Sequence, residues 1–243
     1  MHQRSLLTEP LLLWNKKTIR KNLVFCILLL LIASFPSSLA GGFPDTLEKG
    51  TLSIYFMQEQ VGYEEYSWEE DDMGYTLTVR GRMTKPIAIE IESLVIRLDK
   101  SFIPKSYLFK GRVSGVVQDI QSVFMEGKVK NTQQVAGQER TEMADIKRDA
   151  VLLPNPIYSP YMVLTKKYRC SLQEAATISA YYIPQMEVSA TLEPKQDFPC
   201  HLVLHLGPTE IEIETDEEGT LNGLVNSSQS LKVVRTMVGV PIR

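Results

Sequence analysis

Cys170, Cys200, His201, His205, Glu210 and Glu214 are the closest approach to a reactive constellation in this 243-residue chain. Two thiols and two imidazoles are a donor set that zinc accepts. The spacing argues against a metal centre. Cys200 and His201 are neighbours, and neighbours in a strand point to opposite faces. His201, His205, Glu210 and Glu214 alone would share one face, where the expected role is cross-strand His–Glu pairing on a solvated sheet. No metal ligand is therefore assigned. The two cysteines predict a Cys170–Cys200 disulfide instead. Closing a loop of about 31 residues would stabilise the fold by about 3–4 kcal/mol.

A second group is aromatic. Tyr158, Tyr161, Tyr168, Tyr181 and Tyr182 crowd one stretch of the chain. Each offers a large apolar body with one polar tip, which suits the lining of a ligand cavity and suits ordinary packing against a sheet. The five are the candidate ligand-lining residues. A third group, Glu64, Glu65, Glu69, Glu70, Asp71 and Asp72, has the carboxylates of a glycosidase. Their clustering at a strand end reads as a solvated, charge-rich turn. The chain carries no Gly-x-Ser-x-Gly elbow, phosphate loop, dinucleotide fingerprint or His-Glu-x-x-His sequence. No catalytic residue and no cofactor is assigned, and the chain is read as a protein that binds and does not catalyse, with a hydrolase of unrecognised site as the remote alternative.

These residues need elements to hold them. Alternation with period two dominates 51–146, the pattern of half-buried strands. Leu52, Ile54 and Phe56 share one face, as do Tyr75, Leu77 and Val79, and Ile87, Ile89 and Ile91. The phase shifts near Ser93, which predicts a β-bulge or bend. Further strands are expected near 61–70, 106–114, 116–126, 128–135 and 139–146. Short turns with Gly, Asp or Pro join them, so the pairing should be antiparallel. At 157–183 the pattern turns helical. Ser159-Pro160 offers an N-cap with proline behind it, and Ser171-Leu-Gln-Glu174 fits a capping box before a second helix that Pro184 ends. Strands resume at Glu187–Leu192, His201–Leu206, Thr209–Thr215, Gly219–Val225 and Leu231–Met237. Across Gly207-Pro208 an even loop pairs Leu204 with Ile211 and His205 with Glu210, because a one-residue slip would set leucines against glutamates. The expected fold is mainly β: a strongly curved antiparallel sheet of about ten strands, half-barrel or barrel-like, with two short helices inserted at 157–183.

The first forty residues read as a secretory signal peptide. Lys16, Lys17, Arg20 and Lys21 precede an apolar run from Leu23, and small residues at Ser38 and Ala40 suit cleavage after Ala40. The run to Phe35 is shorter than the roughly 20 residues of a membrane span. Residues 41–243 would then be one exported, periplasmic or secreted, domain. The leader holds five basic residues and one acidic, which leaves 21 bases against 28 acids, a net charge of −7. Such a balance excludes nucleic acid and disfavours anionic headgroups as general partners.

The stretch Gly50-Thr-Leu-Ser-Ile-Tyr-Phe-Met-Gln-Glu-Gln-Val-Gly-Tyr-Glu-Glu-Tyr66 resembles the opening of uncharacterised secreted bacterial β-rich proteins. Asp216-Glu-Glu-Gly-Thr-Leu221, with Leu231-Lys-Val-Val-Arg235, is similar to their closing hairpin. The fold so implied is similar to the periplasmic lipoprotein-carrier half-barrels, in which short helices close a curved sheet over an apolar cavity. The resemblance implies a cell-envelope binding protein for a lipid or other hydrophobic small molecule, or else an envelope module with a filled core that meets a protein partner.

Overall fold

The computed structural model describes residues 46–236. The expected leader lies outside the described residues. The first eight strands form an unbroken meander: β1 (Thr46–Phe56), β2 (Glu59–Asp71), β3 (Gly74–Met83), β4 (Ile89–Asp99), β5 (Pro104–Val113), β6 (Val116–Met125), β7 (Lys128–Val135) and β8 (Gln138–Asp145). After a two-residue strand β9 (Val151–Leu152) the chain makes one α-helix, α1 (Met162–Tyr168). It then returns to strands with β10 (Ala176–Tyr182), β11 (Met186–Pro194), β12 (His201–Leu206), β13 (Thr209–Thr215), β14 (Leu221–Asn226) and β15 (Leu231–Thr236).

All fifteen strands belong to one sheet, in the order β8-β7-β6-β5-β4-β3-β2-β1-β15-β14-β13-β12-β11-β10-β9. Every pair is antiparallel except β9 with β10. The two meanders meet where β1 pairs with β15, Thr51 opposite Thr236 and Phe56 opposite Leu231. A sheet this wide must curl to hide an apolar face. Register shifts at Ile54/Tyr55, Val79/Gly81 and Ile91/Ser93 mark where extra residues bend consecutive strands. The last is the bulge expected near Ser93. The sheet curls strongly without closing. Asn131 on β7 hydrogen-bonds Tyr181 on β10, although these strands stand second from opposite edges of the sheet.

The inner face is apolar on both sides of the β1–β15 seam. Leu52, Leu77, Leu94 and Ile96 of the first meander pack in one cluster with Leu192, Leu204, Ile213 and Val233 of the second. Met162 and Leu164 of α1, both fully buried, join the same cluster. The helix is thus a plug inside the curled sheet, and the interior is filled.

The expected helices are half corrected. A 3-10 turn (Ser159–Tyr161) leads directly into α1, with Lys166 and Lys167 in its last turn. The second helix is absent: a 3-10 turn (Arg169–Ser171) is followed by extended chain, and Ala176–Tyr182 is strand. The Ser171 hydroxyl donates to the Tyr168 carbonyl at 2.7 Å, at the end of α1, and starts no second helix. Ile178 through Tyr181 are all buried. A strand covered on both faces loses the period-two signature, and the remaining spacing of Leu172, Ala175, Ser179 and Tyr182 imitates a helix.

Candidate functional site

The plug is gripped at both ends, and the grips determine what surrounds the tyrosines. Neither Tyr158 nor Tyr161 supplies a side-chain cap at the helical start. The cap comes from a distant strand. Glu64 on β2 accepts from the amide of Tyr158 at 2.9 Å, the amide of Ser159 at 2.6 Å and the Ser159 hydroxyl at 2.6 Å. Its two oxygens thus satisfy donors that a helix leaves open at its first turn, and a negative charge there faces the positive end of the helix dipole. Ser159, expected as the N-cap, is a donor to that carboxylate. Glu64 is 1% exposed. Burial pushes its carboxyl above the usual range, against the three hydrogen bonds that favour the charged form.

At the other end, the Thr165 hydroxyl donates to the Gly219 carbonyl at 2.7 Å. Gly219 has φ +80°, and a Cβ there would lie 2.6 Å from the Thr165 carbonyl oxygen, so only glycine permits the approach. The Lys166 ammonium reaches Glu48 at 2.7 Å; the same carboxylate accepts from the Tyr66 hydroxyl at 3.1 Å and pairs with Arg235 at 3.4 Å. Two residues past α1, Cys170 is disulfide-bonded to Cys200, which tethers the plug to the start of β12.

The five tyrosines separate into three environments. Tyr158, Tyr161 and Tyr182 line one pocket of about 150 Å³ with Asn155, Thr209, Asn226 and Gln229. The pocket lies where β12, β14 and the 3-10 turn Ser227–Gln229 meet the entrance to the plug. Leu206, Ile211 and Leu224 form its apolar part. Burial raises the phenol pKa of all three tyrosines, with Glu64 adding to the effect at Tyr158. They therefore present neutral hydroxyls beside amide and hydroxyl groups. Tyr181 lies elsewhere: its hydroxyl accepts from Asn131 at 2.7 Å, and Asn131 accepts from Ser122 at 2.7 Å, a buried polar seam between β6–β7 and β10. Tyr168 is half-buried, with the Lys167 ammonium 5.4 Å from its ring centre. These two do not line the pocket.

The histidine face has the expected register, His201 opposite Glu214 and His205 opposite Glu210. His205 Nε2 stands 3.0 Å from Glu193 and Nδ1 3.9 Å from Glu210. The cysteines are committed to the disulfide, and no group of three or more His, Cys, Asp or Glu is arranged for a metal among the described residues. The acidic cluster divides. Asp71 accepts the turn amides of Met73 and Gly74, and Glu70 pairs with Lys100, in keeping with a charged turn. Glu64 contradicts that reading, because it faces the core. Its phase is visible in the sequence: Glu64, Tyr66 and Trp68 alternate along β2 and are all buried.

No known family and no curated protein matches the sequence. Among solved structures, the crystal structure of a DUF1089 family protein from Pseudomonas aeruginosa aligns with 77% of this chain and 94% of its own, at 12% identity and a TM-score of 0.40. A likeness so distant has no bearing on function.

Proposed function

We propose that this chain is a non-catalytic binding protein of the cell envelope, and that its ligand is a hydrophobic molecule received at the tyrosine-lined pocket. The observation that carries the reading is the convergence of Tyr158 and Tyr161 from the plug with Tyr182 from β10 on one enclosed space. Rings of this kind supply apolar contact, and their hydroxyls with Asn155 and Asn226 orient what enters. The space, at about 150 Å³, is below the roughly 300–1,000 Å³ of common ligand pockets. It suits a ring or the end of a chain while the plug stays seated; a whole acyl chain requires the plug to move. The disulfide supports an oxidising compartment, in keeping with the leader-like order of the first forty residues.

Native mass spectrometry of gently purified protein, paired with titration of a fluorescent fatty-acid probe, tests the proposal. The expected result is a bound apolar adduct and saturable probe binding that weakens about tenfold in Tyr161→Ala, the loss of one buried aromatic contact. Apo protein alone, with probe binding unchanged in the variant, contradicts it. A second reading has its own support. The interior is filled, and among the described residues every buried side-chain nitrogen or oxygen has a partner. That is the construction of a rigid scaffold for a protein partner, and failure of probe binding by a folded protein would favour it.

A further inference from the structure

The tyrosine pocket holds hydrogen-bonding capacity that the protein itself leaves unspent. Tyr158 is 7% exposed, Tyr161 8% and Asn226 3%, and all three line it. The hydroxyls of Tyr158, Tyr161 and Tyr182 and the amide nitrogen of Asn226 have no hydrogen-bond partner among the described residues. Every fully enclosed side-chain nitrogen or oxygen among the same residues is satisfied. The four unspent groups therefore reach open space, and the pocket is the space that all of them line. Tyr158 and Tyr182 both push the Tyr161 phenol pKa further up, so the three polar tips are neighbours. A buried donor without an acceptor costs stability. Four such donors around one small space form a surface complementary to the polar group of a ligand.

The lining also sets the polarity of that group. Asn226 Oδ1 is already taken, since it accepts from the Ser228 hydroxyl at 2.8 Å and from the Gln229 amide at 3.2 Å. Asn226 therefore has only its two amide hydrogens left to give. The three phenols, held neutral by burial, can each give one more. No Asp, Glu, His, Lys or Arg lines the pocket. An anion would enter with no cation to meet it, and the Glu64 carboxyl, 2.9 Å from the Tyr158 amide, would oppose it. A cation would face the Asn226 amide hydrogens and would find Glu64 already committed to three donors. The complementary group is an uncharged acceptor. Leu206, Ile211 and Leu224 receive its carbon skeleton, and a cavity of about 150 Å³ holds one six-membered ring.

We propose that the pocket receives the uncharged carbonyl oxygen of a ketone, lactone or ester, carried on a ring or chain end, with Tyr158, Tyr161, Tyr182 and Asn226 as its hydrogen-bond donors. The inference rests on the reading of this pocket as the ligand site and adds which molecules it accepts. Discrimination follows from what each competitor leaves undone. A charged analogue of the same shape must shed its water and gains no countercharge. A hydrocarbon of the same shape fills the apolar part and leaves the donors as they were.

Protein-detected NMR titration of the protein as purified tests it, with cyclohexanone, cyclohexanecarboxylate, cyclohexylammonium and cyclohexane as probes of one shape. Cyclohexanone should shift the amides of Tyr161, Leu206 and Asn226 and bind about tenfold more tightly than either charged ring. Tyr161→Phe and Tyr182→Phe each keep the ring and remove one donor. Each should weaken cyclohexanone about fivefold, the loss of one hydrogen bond, and leave cyclohexane binding unchanged. A merely structural role for the hydroxyls would move both probes together. Thermal unfolding should show both variants folded, and if Tyr161→Phe is not, Tyr182→Phe carries the test. A charged ring that binds as tightly as cyclohexanone overturns the proposal. So does cyclohexanone binding that neither hydroxyl deletion alters. If cyclohexanone fails to bind while the fatty-acid probe still saturates and responds to Tyr161→Ala, this inference falls and the ligand-site reading stands. If both probes fail, both fall.

Discussion

The two ends of the plug are held by opposite means. At its start, one carboxylate, Glu64, is wholly buried and accepts three hydrogen bonds, with no ion pair to it among the described residues. At its finish, Glu48 is partly exposed and pairs with Lys166 and Arg235, Gly219 allows backbone to touch backbone, and the Cys170–Cys200 disulfide comes next. The first grip depends on removing a charge from water and then meeting it with dipoles; the second relies on a part-buried ion-pair network, close contact and a covalent bond. Removing the wholly buried Glu64 acceptor leaves three donors at once without a partner, whereas Lys166 in the Glu48 network keeps other acceptors. The start of the plug, which is also the tyrosine pocket, is therefore the end where a single atom group controls the position of the helix.

The comparison can be broken most strongly at the covalent end. Cys170→Ser with Cys200→Ser should cost about 3–4 kcal/mol in chemical unfolding, through the freed loop. It should leave the tyrosine pocket intact in the folded molecule. Next in size, Glu64→Ala should cost about 2–4 kcal/mol, because two amides and a hydroxyl lose their acceptor in a dry interior. That variant should loosen the pocket. Glu64 also adds a pH signature. Its native carboxyl ionises above the ordinary 4.5, so the stability it lends is complete below that pH and declines as the pH rises through the native pKa. Urea unfolding from about pH 4 to about pH 8 should show this decline in the wild type and its absence in Glu64→Gln.

Smaller effects sharpen the contrast. Gly219→Ala should cost about 1–3 kcal/mol, since it combines positive φ with a clash against backbone; differential scanning calorimetry would register the lower Tm. Glu48→Ala should cost about 1–2 kcal/mol: its cations are part-buried, but Lys166 keeps the Glu218 carbonyl and the Thr220 hydroxyl as acceptors. If Glu48→Ala proves more damaging than Glu64→Ala in the same assay, the ranking of the two grips is reversed.

Much of the sheet is legible in the sequence because a strand with one wet face displays alternation directly. The even loop at Gly207-Pro208 and the bulge near Ser93 are both given by the phase of their aliphatic residues. Strand β10 passes for a helix because burial on both faces erases that phase. Of the fifteen strands, only β10 and the two-residue β9 fall outside the segments read as strand in the sequence. The pairing of β1 with β15 joins residues about 180 positions apart, which no local pattern reports. The tyrosines show the same division. Their crowding is visible, but their partition depends on Asn131 and Glu64, which reach them across the fold. Glu64 itself is partly legible, in phase with Tyr66 and Trp68, and is hidden by the run of acidic residues that comes after it.

The central claim is that α1 is seated inside a filled shell by the Glu64 carboxylate. Hydrogen exchange at the amides of Tyr158, Ser159, Val163 and Leu164 tests it most directly. The account predicts slow exchange at all four in the wild type, with protection at Tyr158 and Ser159 collapsing in Glu64→Ala while core strands such as β3 stay protected. Exchange in the wild type as fast as in an exposed turn would mean that the plug is not seated, and would contradict the filled shell.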